Sequence, residues 1–241
     1  MIRRTSIAVL AAFAVVVAGC GGSDSSSGSS STGASTAAAT SAAAAKIPGA
    51  DAVQAEFAGI PQSGETLGDP KAPWTLVEYG DLQCPACKYY ADTTLPAVID
   101  QLVRTGKLRF AMRAFGYVGP DSVPAAAYAW AASKQDKLHD FTRLWYANQG
   151  EENSGYVTDA FARRIASGVA RLDAERLIRD AKTVPVRSLG QRTSDEFERR
   201  KLTGTPSFLI GKTGGELADI DLGDGTGEQA VAAIQAATGQ R

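Results

Sequence analysis

From Trp74 onward the apolar residues switch between the period of a strand and the period of a helix. Leu76, Val77 and Tyr79 lie in a β-prone run that reads as a short buried strand. Gly80 to Gln83 then turns the chain. Pro85 falls where the first turn of a helix tolerates a missing N–H. This helix is predicted from about Pro85 to Thr105, kinked near Thr93 by Pro96 and capped by Gly106. Leu108–Ala114 alternates strictly, predicting a strand with one buried face. Strand, crossover helix and strand form a βαβ unit, so the two strands are expected parallel with a right-handed connection.

Residues 122–201 carry helical spacing throughout. Ala125–Ala132 is alanine-rich around Tyr128 and Trp130, and Leu138, Phe141, Leu144 and Trp145 mark one face of the next helix. Thr158 and Asp173 are placed to cap two more, with Phe161, Ile165 and Leu177 facing inward. Val186, Leu189, Thr193 and Phe197 mark a last one. So much helix exceeds a simple crossover. Ser207–Ile210 and Glu216–Asp221, joined by a glycine-rich turn, read as a β-hairpin, and Gly227–Thr238 reads as a closing helix. Upstream, Val53, Phe57 and Ile60 form one face of a short helix or strand laid on the domain edge, and Gly68–Pro73 is a turn.

The first 46 residues follow a different pattern. Arg3 and Arg4 precede an apolar stretch, Ile7–Ala18, too short to span a bilayer comfortably. It ends in Val17-Ala18-Gly19-Cys20, which resembles the bacterial lipobox, in which the cysteine becomes the lipidated first residue of the mature protein. Residues 1–19 are therefore expected to be a lipoprotein signal peptide and Cys20 a lipidated anchor. That also accounts for the odd count of three cysteines. Residues 20–46 are Ser-, Ala- and Gly-rich, too poor in apolar side chains to offset their ordering entropy, and read as a flexible tether. A flexible coil of that length spans roughly 25–30 Å. The remaining residues, 47–241, are enough for one domain with a good core.

Charge changes the picture little. Twenty-five basic residues face 26 acidic ones, for a net charge of −1. Losing Arg3 and Arg4 with the leader leaves −3. This is no footprint for nucleic acid, and none is expected as a partner. Gly211-Lys212-Thr213 has the end of a phosphate-binding loop but Pro206 where the first glycine belongs, which excludes that motif.

The candidate chemistry is Cys84-Pro85-Ala86-Cys87. Three residues apart on a helix, the two sulfurs share a face. At the helix N-terminus, unpaired N–H groups and the dipole favour a thiolate, which is the reactive form of cysteine. Cys84 is the expected nucleophile and Cys87 the resolving thiol. An inert disulfide or half of a zinc site remain alternatives. Zinc wants a second Cys or His pair, and Cys20 and His139 are all that is left. No metal is expected. His139 lies mid-helix and reads as a structural or surface histidine; Phe141, Trp145 and Tyr146 read as core.

The strand, the Cys pair, the helical stretch and Thr203-Gly204-Thr205-Pro206-Ser207 together resemble the DsbA-like thiol–disulfide oxidoreductases of the thioredoxin superfamily, over about residues 66–238. The resemblance implies an α/β thioredoxin fold, a central mixed sheet flanked by helices, with an α-helical subdomain inserted at about 122–201. It implies a cis Thr205–Pro206 bond beside the Cys pair, with the Thr205 backbone, Pro85 and Ala86 facing substrate. It places an acidic residue, Glu78, beneath the resolving cysteine, where burial would raise its pKa for proton transfer with Cys87. Asp81, near the same loop, is expected to shape the turn. Ala86 departs from the His or aromatic residue that strong oxidases carry there, so Cys84 is expected to be less acidic than in those enzymes. The implied activity is oxidation of dithiols in unfolded or reduced exported proteins, with a membrane redox partner and no cofactor beyond the Cys84–Cys87 disulfide. A reductase running the reverse flow and a non-catalytic chaperone on the same fold are the alternatives. The expected location is the bacterial cell envelope, lipid-anchored at the outer face of the cytoplasmic membrane or in the periplasm.

Overall fold

The structure is a computed structural model that describes residues 46–223 and 225–240. The leader, Cys20 and the tether up to residue 45 lie outside the described residues. A short helix α1 (Ala50–Glu56) leads into a small hairpin of β1 (Gln62–Ser63) and β2 (Thr66–Leu67). The main βαβ unit follows: β3 (Trp74–Gly80), α2 (Pro85–Thr93), α3 (Leu95–Val98) with a π-helical turn over Ile99–Val103, and β4 (Leu108–Ala114). Five helices intervene: α4 (Ser122–Ser133), α5 (Leu138–Ala147), α6 (Asp159–Ser167), α7 (Ala174–Ala181) and α8 (Val184–Arg199). The chain closes with β5 (Ser207–Lys212), β6 (Ala218–Asp219) and α9 (Gly227–Thr238). The segment 47–73 thus holds both a helix and strands, with Val53 and Phe57 buried.

The sheet runs in the order β1-β2-β4-β3-β5-β6. β3 is parallel to β4, with Glu78 opposite Met112, and antiparallel to β5, with Glu78 opposite Phe208. β3 is therefore a central strand, buried on both faces, as its apolar run requires. One face, through Leu76, Phe110 and Ile210, joins the main core with the helices. The other, through Val77, Tyr79, Ala111 and Leu209, packs against Phe115 and Phe197. This second cluster corrects the expectation of a one-faced strand at Leu108–Ala114. Ala111 is buried too, because α8 brings Phe197 across the face that alternation assigned to solvent. Arg109 and Arg113 remain half-buried at its ends.

The long first helix breaks where Pro96 requires. α2 stops at Thr93, and Thr94 carries the chain into α3 with Pro96 in its first turn, where a missing N–H does least harm. The π turn follows, with Arg104 N–H bonded to Ile99 O at 2.8 Å, and Gly106 ends it in the left-handed conformation at φ +70°. Thr158 and Asp173 cap α6 and α7 through their side chains, as their positions predict. No helix among the described residues is long and apolar enough to cross a membrane.

Candidate active site

Cys84 is the N-cap of α2. Its backbone is extended (φ −68°, ψ 120°), and its sulfur accepts the Cys87 N–H at 3.4 Å. Pro85 stands at the first helical position; both Pro85 and Ala86 are exposed. Cys84 itself is 6% exposed and Cys87 fully buried, both as free thiols. From the far end of the chain, the cis Thr205–Pro206 bond brings the Thr205 carbonyl within 3.2 Å of Cys84 Sγ, where the thiol donates to it. The two sulfurs and Pro206 thus meet across more than a hundred residues of sequence.

The sulfurs differ in acidity. Hydrogen bonding from the Cys87 thiol, followed by that from Thr205 and the N–H groups of Cys87 and Ala86, lowers the Cys84 pKa to about 6 against the opposing effect of burial. The Thr205 hydroxyl is buried without a hydrogen-bond partner, and a bond from it to Cys84 favours the thiolate. Burial, the bond to Cys84 and the charges of Glu78 and Cys84 push the Cys87 thiol well up. Glu78, on β3 beneath them, is 3% exposed. Burial first, and then the charge on Cys84, raises its pKa to about 8. Met112 stands opposite it on β4, and Oε1 has no hydrogen-bond partner. Gly80 makes room for that carboxyl: a Cβ there would lie 2.8 Å from Oε1. The Tyr90 hydroxyl nearby is likewise unpartnered, with its ring 4.4 Å from that of Phe208. Tyr90, Phe208, Pro206, Ala86 and Leu222 line a surface groove beside Ala86 and the start of β5.

Residues that sequence reasoning passed over hold the turn before Cys84. Trp145 Nε1 donates to Leu82 O at 3.1 Å, Tyr146 OH to Asp81 O at 3.2 Å, and Gln149 Nε2 to Leu82 O and Cys84 O at 2.9 and 3.3 Å. The buried Gln83 donates to Ser122 Oγ and Asn153 Oδ1 and accepts the Asn153 N–H. Asp81, fully buried, accepts the N–H groups of Gln83, Tyr117 and Val118 at 2.7–2.8 Å, so it does shape the turn. Trp145 and Tyr146 are core, as expected, but their polar ends bond the active-site turn. The one advance signal was local: polar Gln83 immediately before the Cys pair. Its partners lie 39 and 70 residues away. His139 is a core histidine. Burial holds its pKa down at about 4, and Nε2 bonds Glu65 O at 2.9 Å. Among the described residues no group of His, Cys, Asp and Glu is arranged to hold a metal ion.

Residues 62–219 match the family model described as Thioredoxin. The chain belongs to the thioredoxin family. Within this family it is a DsbA-like thiol–disulfide oxidoreductase. It is 29% identical over 161 residues to the probable disulfide bond formation protein D of Bacillus cereus, covering 66% of this chain and 73% of that protein. Its fold is similar to the oxidised crystal form of BdbD from Bacillus subtilis (TM-score 0.62, 20% identity, 73% of this chain and 95% of that one). It is equally similar to alpha-DsbA1 of Wolbachia pipientis (TM-score 0.62, 20% identity, 73% and 90%). The thioredoxin fold with helices inserted between β4 and β5 is thereby confirmed.

Proposed function

We propose that this oxidoreductase is an exported, lipid-anchored protein that donates its Cys84–Cys87 disulfide to reduced, unfolded exported proteins. One observation carries the reading: a low-pKa sulfur and a high-pKa sulfur, one helical turn apart, face the Thr205–Pro206 loop. A substrate thiolate attacks Cys84 Sγ and the Cys84–Cys87 bond breaks. Cys87 leaves with the bonding pair and takes a proton from Glu78, whose raised pKa keeps it a carboxylic acid at neutral pH. The second substrate thiolate then attacks the substrate sulfur of the mixed disulfide, and Cys84 departs as a stabilised thiolate. The substrate has lost two electrons and the protein dithiol has gained them; Glu78 recovers its proton from solvent. The Thr205 backbone offers an edge to an extended substrate strand, and Pro85 and Ala86 lie exposed beside it. A membrane redox partner reoxidises the dithiol, which is the whole redox centre, with no metal or organic cofactor. The anchor is the lipid on Cys20, and the tether holds the domain near that membrane in the cell envelope.

The reductase direction has one observation in its favour. A Cys84 pKa of about 6 is closer to the ~7 of thioredoxin than to the ~3.5 of the strongest oxidases. This agrees with the absence of a His or aromatic at Ala86. The reduction potential of the purified protein against glutathione separates the two. A value well above that of glutathione supports the oxidase, whereas one near about −270 mV transfers the proposal to the reductase. In cells, Cys87→Ser is expected to accumulate mixed disulfides with exported proteins. Failure to trap any would remove the substrate class from the proposal.

A further inference from the structure

The loop Lys201–Pro206 has no regular secondary structure, yet its Thr205 carbonyl stands 3.2 Å from Cys84 Sγ. Its two ends are held by backbone. Leu202 N–H donates to Phe197 O at 3.2 Å, and Ser207 opens β5 opposite Tyr79. Between them, Tyr117 OH donates to Thr203 O at 2.7 Å. Thr203 lies two residues before Thr205, so moving one carbonyl carries the other with it.

Tyr117 is itself fixed from the Cys side. Its N–H and that of Val118 donate to Asp81 Oδ2, both at 2.7 Å. Asp81 Oδ1 accepts the Gln83 N–H, and its main-chain oxygen accepts the Cys84 N–H at 3.1 Å. The ring leans on Phe115 and Phe197 at centroid distances of 5.9 and 5.5 Å. One buried carboxylate therefore locates both the approach to Cys84 and the tyrosine that reaches the opposite loop. We propose that Tyr117 is a positioning residue: its hydroxyl sets where the Thr205 backbone stands relative to Cys84, and so how a polypeptide dithiol is presented to the disulfide.

The two tethers on this loop differ in redox dependence. A sulfur in a disulfide or a thiolate has no proton to donate, so the bond from Cys84 to Thr205 O exists only in the thiol state. The bond from Tyr117 involves no sulfur and persists in the disulfide form, the form that meets a reduced substrate. Tyr117 is also 46% exposed, so its hydroxyl bond is not needed to fill the core.

The proposal rests on the reading of the site as an exchange centre for polypeptides. Its test compares the oxidised full chain with Tyr117→Phe, which deletes the hydroxyl and keeps the ring. Two probes are used: an unstructured peptide with two cysteines, and dithiothreitol, which needs no backbone alignment. Under single-turnover conditions, with the peptide in excess over the oxidised protein, loss of one hydrogen bond is expected to raise the half-saturating peptide concentration (KM) about 2- to 10-fold, leaving the maximal rate of disulfide transfer (kcat) within about twofold. The dithiothreitol rate stays that of the wild type. Tyr117→Leu, which also removes the ring, gives at least as large a rise in KM. An unchanged peptide KM overturns the proposal, as does an equal fall in both rates, which would place the effect on the sulfurs. A wild-type protein that oxidises neither probe sinks the exchange reading itself, a distinguishable result.

Discussion

The two segments that meet at the site are held in unlike ways. The turn Asp81–Cys84 is buried, and side chains from α5 and the loop after it bond the carbonyls of Asp81, Leu82 and Cys84. Gln83 uses both ends of its amide, toward the buried Ser122 and the exposed Asn153. The loop Lys201–Pro206 is partly exposed and carries few bonds besides that of Tyr117. The contrast matches two physical needs. Stabilising a thiolate requires donors at set distances, so the turn that carries Cys84 is immobilised. Meeting many polypeptide sequences requires a backbone edge that depends on few side chains, so the opposite loop is lightly tethered.

The largest expected effect tests how closed the turn side is. Glu78 has a folded pKa of about 8 against an ordinary 4.5. Its contribution to stability is complete below about pH 4.5 and is lost as pH rises to about 8, because the unfolded chain ionises first. In the disulfide form the Cys84 charge is gone and burial alone raises the Glu78 pKa, so the loss keeps its sign there and is smaller than in the dithiol form. Glu78→Gln is expected to abolish it, as urea unfolding midpoints at pH 5 and pH 8.5 would register. Because His139, whose pKa is held at about 4, loses stability toward pH 5 in both proteins, the quantity that decides is the difference between wild type and Glu78→Gln at the two pH values. An equal difference at both would mean that water reaches the carboxyl and that the turn side is not sealed.

A pair of substitutions compares the two segments directly. Gln83→Leu removes a buried amide that bonds the fully buried Ser122 Oγ at 2.9 Å and the N–H of the exposed Asn153 at 2.8 Å, and should cost about 1–3 kcal/mol in denaturant unfolding. It should also blur the Cys84 titration followed by thiolate absorbance, since Cys84 follows it in the turn. Gly204→Ala, on the opposite loop, meets no atom within 4 Å and needs no left-handed backbone. Its effect should stay within about 0.5 kcal/mol. Equal costs for the two would erase the contrast.

Much of the molecule was legible in advance for local reasons. The β-prone run around Leu76, Val77 and Tyr79, the proline after Cys84, the break before Pro96 and the capping residues Thr158 and Asp173 each act through neighbours within about one helical turn. The pairing of Cys84 with Cys87 needed nothing beyond helical spacing. Burial of Glu78 was expected from the family resemblance and the predicted buried strand, and the sheet order that makes β3 central is what secures it. The second buried face of β4 was not legible, because Ala111 acquires its cover from Phe197, 86 residues later. Nor was the grip of Trp145, Tyr146 and Gln149 on the turn, which local periodicity registers only as an apolar helix face followed by a polar residue.

The sequence by itself determined which residue types stand at the start of α2, and so that a reactive dithiol would form at a helix N-terminus. Tertiary structure decided what surrounds that dithiol: Pro206 across from it, Glu78 without a cation below it, and Tyr117 reaching the loop beyond. Helix termini and spacing depend on adjacent residues, whereas desolvation and a hydrogen bond across 86 or 121 positions depend on how the whole chain packs.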